Sequence, residues 1–320
     1  MTPGDPTPAR TARSVSVVIE TINDESRPTL DLDDVLAALG AQTYPAEAVE
    51  IVVVVDRNNG GLKDRVRQSW PDVKLLEVDE PTYFSMKTAG ARSASGDIVA
   101  FLDSDCVPVP SWIERIVSRI ADGADVVAGK TRYPAGARFA RTFDFFNFGY
   151  IQANSDGRAN GFLPNNVAFR RDVFLEHPFD ARIRRGGAGH FLGNKLRALG
   201  YLLVYEPEQR VTHNCYELGE ELLMRVKAGY DTVNIAAIDS DEVIEETRYL
   251  HRTSLSVIVI FLRRVVFDVR AALGNRQDLG ISLVQVPYFL LASPLVRGLE
   301  MGAALITLFR PSYFQEKYDW

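Results

Sequence analysis

Short runs of apolar, β-branched residues recur along the first 130 positions, each followed by a polar turn and then by residues at helical spacing. Ser14–Thr21 (SVSVVIET), Glu50–Val55 (EIVVVV), Val73–Val78 and Asp97–Leu102 (DIVAFL) read as buried strands, because a strand covered on both faces loses the polar alternation of an exposed one. Between them, Leu32–Gln42 places Leu32, Val35, Leu36 and Leu39 on one helical face, with Asp33 and Asp34 in the first turn. Gly61–Trp70 and the small-residue stretch Thr88–Ser95 also suit helices, and Val126–Lys130 supplies a fifth strand. Strands alternating with helices predict an α/β fold: a mostly parallel, Rossmann-like sheet flanked by helices. Ligands bind such sheets beyond the carboxyl ends of the strands, and Thr21, Asp56 and Asp103 all fall there.

Beyond Arg132 the pattern changes. Arg138–Tyr150 is rich in aromatic residues, Asn160–Phe169 reads as a loop, and Arg182–Gly193 is rich in Gly and Arg. Tyr201–Glu206 and Gln209–His213 read as strands, and Glu217–Ala237 as a helix. From Arg252 the chain is strongly apolar, but Ile281–Phe309 is interrupted by Pro287, Pro294, Arg297 and Glu300. A spanning helix needs about 20 nearly uninterrupted apolar residues, and mid-segment charges are costly in lipid. Two readings of this extension stay open. Its helices pack on the globular domain or on a second copy in a homodimer, or they lie in the membrane interface beside Arg263, Arg264, Arg270 and Arg297.

Composition narrows the partners. A formal net charge of −6 gives no basic stripe for nucleic acid. Two cysteines, Cys106 and Cys215, exclude a disulfide scaffold or a four-cysteine zinc site and suit a reducing compartment. Residues 1–13 hold no apolar core of the kind a secretory signal needs and read as a disordered lead-in. The expected location is therefore cytoplasmic, with peripheral contact at the inner face of the cell membrane if the extension is interfacial.

Candidate chemistry centres on Asp103-Ser104-Asp105, which follows the strand Asp97–Leu102. Two carboxylates at i and i+2 beyond a strand end suit one shared Mg2+ or Mn2+, a hard cation that prefers carboxylate and phosphate oxygens. Turn-forming, solvated aspartates are the plainer reading of so short a motif. Its context decides between them. Val15–Asn23 (VSVVIETIN), Val52–Asp56 (VVVVD), Lys87–Asp97 (KTAGARSASGD), Ile98–Asp105 (IVAFLDSD), Asn160–Arg171 (NGFLPNNVAFRR), Phe179-Asp180 and Leu196–Val211 together resemble the family-2 glycosyltransferases in order and spacing. The resemblance covers roughly residues 14 to 215. It implies a nucleotide-diphospho-sugar transferase (GT-A) fold and a metal-dependent transfer of sugar from a nucleoside-diphosphate sugar, UDP- or GDP-linked, to an acceptor it does not identify.

The resemblance also implies roles. Thr21 and Asp56 would hold the nucleotide base and ribose, Lys87 the base or diphosphate, and Asp103 and Ser104 the ribose side of the donor. Asp105 would ligate Mn2+ or Mg2+ directly, with Asp103 in its water shell and His213 as a further ligand. Asn165 and Asn166 would line the acceptor side. Trp112 either stacks on a sugar or is a core residue at a helix start. Glu20 stands where the family usually has Pro, and Arg57 where many members have a second Asp. The implied domains are a transferase domain over 14–235, with a nucleotide-sugar half over 14–130 and an acceptor half over 131–235, then the helical extension over 236–320.

One element is missing. Inverting members carry an acidic pair soon after Phe-Asp, one carboxylate taking the acceptor hydroxyl's proton. Here those positions are Ala188 and Gly189, and the next acidic position holds Phe191. Three readings remain open: His190 acts as the base, or the acceptor needs no strong one; the reaction retains anomeric configuration; or the chain binds sugar nucleotides without transferring anything. The run Gly186-Gly187-Ala188-Gly189 is expected to form a mobile acceptor loop, with Arg182, Arg184 and Arg185 beside it. No Gly-rich phosphate loop follows Thr21, which argues against a nucleotidyltransferase or a dehydrogenase.

Overall fold

The computed structural model describes residues 13–22, 32–79, 81–134, 140–154, 156–183, 186–213, 218–238, 253–274, 276, 279 and 281–318. The lead-in up to residue 12, Arg184, Arg185 and Cys215 lie outside the described residues.

β1 (Val15–Glu20) runs parallel between β2 (Val49–Asp56) and β4 (Ile98–Asp103), and β3 (Lys74–Val78) adds to β2. Every residue of β1 and β4 is buried, so their apolar runs reflect helices on both faces of the sheet. Alternate residues feed two cores. Val18, Val52, Val99 and Phe101 pack beneath α3 (Tyr83–Ser93), α6 (Arg171–Glu176) and α7 (Ala188–Ala198). Val17, Ile19, Val53 and Leu102 pack against α1 (Leu32–Gly40), α2 (Gly60–Ser69) and α4 (Trp112–Ala121). The register puts Glu20 level with Val54 on one side and Asp103 on the other. The carboxyl ends thereby form one rim.

The second half of the sheet is mixed, and two strands there escape the sequence pattern. The full order is β3-β2-β1-β4-β7-β6-β8-β5. β7 (Asn166–Arg170), in the stretch expected to be a loop, runs antiparallel between β4 and β6 (Val126–Arg132). Its side chains alternate, Val167 and Phe169 into one core and Ala168 into the other, a signal hidden by the flanking Gly161, Pro164 and Asn165. The two strands expected over 201–213 are one, β8 (Leu203–His213). Its pairing with β6 jumps from Gly129↔Glu206 to Lys130↔Arg210. Pro207 has no N–H to give the ladder, so a bulge forms there. The tail of β8 then pairs with the short β5 (Cys106–Pro108).

Behind α5 (Ala140–Asn147), the helices α8 (Leu218–Ile238), α9 (Ser254–Gly274) and α10 (Val286–Phe309) pack together, and α11 (Tyr313–Tyr318) closes the chain. The charges that interrupt the apolar pattern meet inside this bundle. Arg297 Nε and Nη2 donate to Asp268 at 2.8 and 2.9 Å, its Nη1 donates to Glu300 at 2.8 and 2.9 Å, and Arg225 Nη1 donates to Glu300 at 3.2 Å. Burial works against the charge of Glu300, yet the guanidiniums of Arg297, Arg225 and Arg264 hold its carboxyl below the usual range. Leu283–Phe309 is, among the described residues, one stretch long and apolar enough to cross a membrane. Its paired charges face α8 and α9, while Val284, Leu291, Leu295 and Phe309 are exposed.

Candidate active site

The antiparallel pairing of β5 with β8 sets Cys106 opposite His213, which brings a histidine from 108 residues along the chain beside Asp105. His213 Nε2 lies 3.6 Å from Asp105 Oδ1. One potential ligand atom from each of Asp103, Asp105, Cys106 and His213 falls within 4.8 Å of the others, and all four residues are buried. Two donors of one Mg2+-sized cation sit about 3 Å apart, so the group is near ligating geometry for an oxygen- and nitrogen-preferring ion. Cys106 is its weakest donor: burial, then the Asp105 and Asp103 carboxylates, push the thiol well up from its ordinary range. Tyr133 and Phe148 wall the imidazole of His213 at ring distances of 5.7 Å.

Asp103 is held from below. Tyr83 Oη donates to its two oxygens at 2.8 and 3.0 Å, and Lys87 Nζ to Oδ1 at 2.7 Å. Tyr83 and Lys87 stand four apart on α3, so one helical face presents both. Lys87 is fully buried and also donates to the Leu102 carbonyl at 3.2 Å. Burial, then Asp103 and Glu20, push the Tyr83 phenol well up, so it remains a donor. Sequence reading missed Tyr83, although its spacing from Lys87 was a usable signal. Glu20 is also buried at this rim, accepting the Ile22 amide at 2.8 Å. Burial, reinforced by Asp103, pushes its carboxyl well above the ordinary carboxylate range.

The remaining candidates divide. Thr21 Oγ1 donates to the Val54 carbonyl at 2.9 Å, fixing β1 to β2 at the rim. Asp56 Oδ1 accepts the Asn58 amide at 2.9 Å and shapes the turn after β2, and Ser104 is buried between the two aspartates. Asn165 lines a cavity of about 1620 Å3 and accepts from Thr131 Oγ1 at 3.1 Å. Trp112 and Asn166, expected on the acceptor side, are both fully buried, which gives Trp112 the core position at a helix start. Trp112 Nε1 donates to Asn166 Oδ1 at 2.8 Å, and Asn166 also bonds Gln209 at 3.0 and 3.1 Å, tying α4, β7 and β8 together. An indole sealed in that way has no face for a sugar.

The same cavity is lined by Asp103, His213, Tyr83, His190 and Asp231. The Gly-rich run divides, with Gly186 and Gly187 exposed against α8 and Ala188 and Gly189 in a helix. Gly187 holds φ +87°, and a Cβ there would lie 1.8 Å from Ile235 Cδ1 of α8. Ala188 and Gly189 already belong to α7 and are buried. Asp231, also on α8, accepts the Gly186 amide at 3.1 Å. No local motif marks Asp231, because it reaches this site only through helix packing. Arg182 is exposed and pairs with Asp180 at 2.6 Å.

The chain is similar to known glycosyltransferases in sequence and fold. Residues 16–177 match the model of glycosyl transferase family 2. The chain is 30% identical over 233 residues to Glycosyltransferase AglE of Haloferax volcanii, across 70% of this chain and 75% of that protein. It is 31% identical over 230 residues to the glucosyl-dolichyl phosphate glucuronosyltransferase of the same organism, across 65% and 71%. In fold it is similar to the mannosyltransferase PcManGT from Pyrobaculum calidifontis, solved with GDP-Man and Mn2+, with a TM-score of 0.65 over 97% of this chain and 91% of that one at 19% identity. The family match and these relatives, on a GT-A frame with its rim of aspartates, make this chain an enzyme: it belongs to glycosyltransferase family 2 and draws on a nucleotide-sugar donor.

Proposed function

We propose that this enzyme is a metal-dependent glycosyltransferase that acts on an acceptor carried by a membrane lipid. The cluster of Asp103, Asp105 and His213 within 4.8 Å carries the metal assignment. Asp105 and His213 are the direct ligands of Mn2+ or Mg2+, since the oxygens of Asp103 already accept from Tyr83 and Lys87. A divalent cation bound there supplies positive charge beside the departing nucleoside diphosphate. The donor's base and ribose lie over the ends of β1, β2 and β4, with Thr21, Asp56, Asp103 and Ser104 shaping that floor and Lys87 holding Asp103 in place. Across the cavity, Asn165 and His190 position the acceptor hydroxyl.

The far wall supports a lipid-borne acceptor. Val259, Leu262, Val266 and Phe267 of α9 line the cavity and are also exposed, with Arg263, Arg264 and Arg270 among them. The active-site mouth therefore continues into an apolar, cationic surface, which suits a lipid tail and its phosphate. One relative is named for action on glucosyl-dolichyl phosphate. This reading makes the protein peripheral at the cytoplasmic face, where nucleotide sugars are at hand.

Thermal shift with UDP-glucose, UDP-glucuronic acid and GDP-mannose tests the donor half. At least one should stabilise the protein only with Mn2+, and Asp105→Ala should lose that effect. Metal-dependent stabilisation that survives Asp105→Ala would defeat the metal assignment. Sedimentation with vesicles of phosphatidylglycerol and phosphatidylcholine tests the other half. A chain that stays in solution as a dimer assigns the apolar face to a second copy.

A further inference from the structure

The family's base positions are closed to a carboxylate here. A Cβ on Gly189 would lie 2.5 Å from the Phe162 carbonyl oxygen and 3.1 Å from Pro164 Cδ, and Ala188 is buried in the core. Yet the seam at this place carries an acid from elsewhere in the chain. Asp231 and Ile235 stand four apart on α8, so one face of that helix presents both. Ile235 fills the space that a side chain on Gly187 would need, and Asp231 Oδ2 accepts the Gly186 amide at 3.1 Å. A Cβ on Gly186 would lie 2.6 Å from Asp231 Oδ2, so the acid sits directly against this backbone.

The helix is anchored on its other sides. A Cβ on Gly229 would lie 2.1 Å from the Glu300 carbonyl oxygen of α10, and Thr232 Oγ1 accepts from Arg264 Nη1 of α9 at 3.2 Å. The carboxylate of Asp231 lines the same cavity as Asp103, His213, His190 and Asn165. The bond from the Gly186 amide holds this carboxylate at the start of α7.

We propose that Asp231 is the catalytic base, a carboxylate supplied by α8 to the place left by Ala188 and Gly189. The inference rests on the transferase reading above. The acceptor O–H gives its proton to the Asp231 carboxylate, and the acceptor oxygen bonds to the anomeric carbon. The bond from that carbon to the diphosphate oxygen breaks, its electron pair leaving with the nucleoside diphosphate. A single displacement of this kind inverts the anomeric centre, and His190 orients the hydroxyl without taking the proton.

Donor hydrolysis tests this with water in place of the acceptor. The full chain is incubated with Mn2+ and UDP-glucose, UDP-glucuronic acid or GDP-mannose, and released nucleotide is measured. Asp231→Ala and Asp231→Asn should each lower release about 100-fold or more, the usual range for a general base. Stabilisation by UDP or GDP with Mn2+ should persist in both variants, and sodium formate should restore release to Asp231→Ala, which leaves room for it. Release within about threefold of wild type in either variant overturns the proposal, as does a loss that formate does not relieve. Wild type that binds nucleotide with Mn2+ but releases none from any of the three donors also overturns it. Wild type that binds no nucleotide overturns the transferase reading itself.

Discussion

Two buried glutamates mark the two sides of this enzyme. Glu20, on the donor rim, has Asp103 for a neighbour, and burial with that like charge pushes its carboxyl up. Glu300, behind the acceptor wall, is buried as deeply but sits among Arg297, Arg225 and Arg264, which hold its carboxyl down. The donor rim concentrates carboxylates, which suits the cation proposed for it. The acceptor wall neutralises its charges internally, as a structural joint must. The first gathers unlike functions within one strand register; the second gathers residues from α5, α8, α9 and α10.

The largest effect separating the two should come from Asp105→Ala. Losing a direct ligand forfeits several kcal/mol of charge stabilisation, so nucleotide release with Mn2+ should fall about 1000-fold while the metal-free melting temperature changes little. A comparable loss of stability would mean that Asp105 supports the fold more than the site. Glu300→Ala should do the reverse. Removing the shared partner of Arg297 and Arg225 strands buried charge and costs about 3–5 kcal/mol in denaturant unfolding. Nucleotide binding with Mn2+ should weaken far less, since this network reaches His213 only indirectly, through Asn147 and Tyr133.

Gly187→Ala comes next. At φ +87°, with Ile235 Cδ1 1.8 Å from the added Cβ, it should cost about 1–3 kcal/mol. Ile235→Ala in the same chain should recover the steric part but not the backbone strain. A neutral Gly187→Ala would show that Ile235 and the backbone adjust without cost there. Trp112→Phe removes one buried hydrogen bond and should cost about 1–2 kcal/mol without altering acceptor KM. A raised KM at unchanged stability would instead put the indole on the substrate.

Acid gives the smallest and most graded signal. Because the folded Glu300 carboxyl is held down, its contribution to stability is fully present above the unfolded carboxylate value, near 4.5, and is lost as pH falls through the lower folded value. Tryptophan-independent probes on α10, such as amide exchange, should therefore show the helical extension loosening below about pH 4.5. Glu300→Gln should flatten that dependence.

Local pattern reached far into the donor half. The runs Val15–Glu20, Val49–Asp56 and Ile98–Asp103 announce buried parallel strands, and such strands bring their carboxyl ends to one rim whatever follows. Asp103-Ser104-Asp105 was legible for that reason, and the collinear motifs named the family. Tertiary structure alone decided the rest. β7 and β5 are too short and too flanked by Pro and Asn to show a period, and Trp112 met Asn166 only when α4 packed on β7. Strand pairing set His213, a candidate by resemblance, beside Asp105, and helix packing brought Asp231 to the Gly186 amide at the cavity. Periodicity is a property of neighbours in sequence, while a donor 3.6 Å from Asp105 or a carboxylate on a foreign amide is a property of packing. The sequence alone determined the parallel strands and the family, because both are written in neighbouring residues; the folded chain decided which side chains meet at the rim, because that depends on packing.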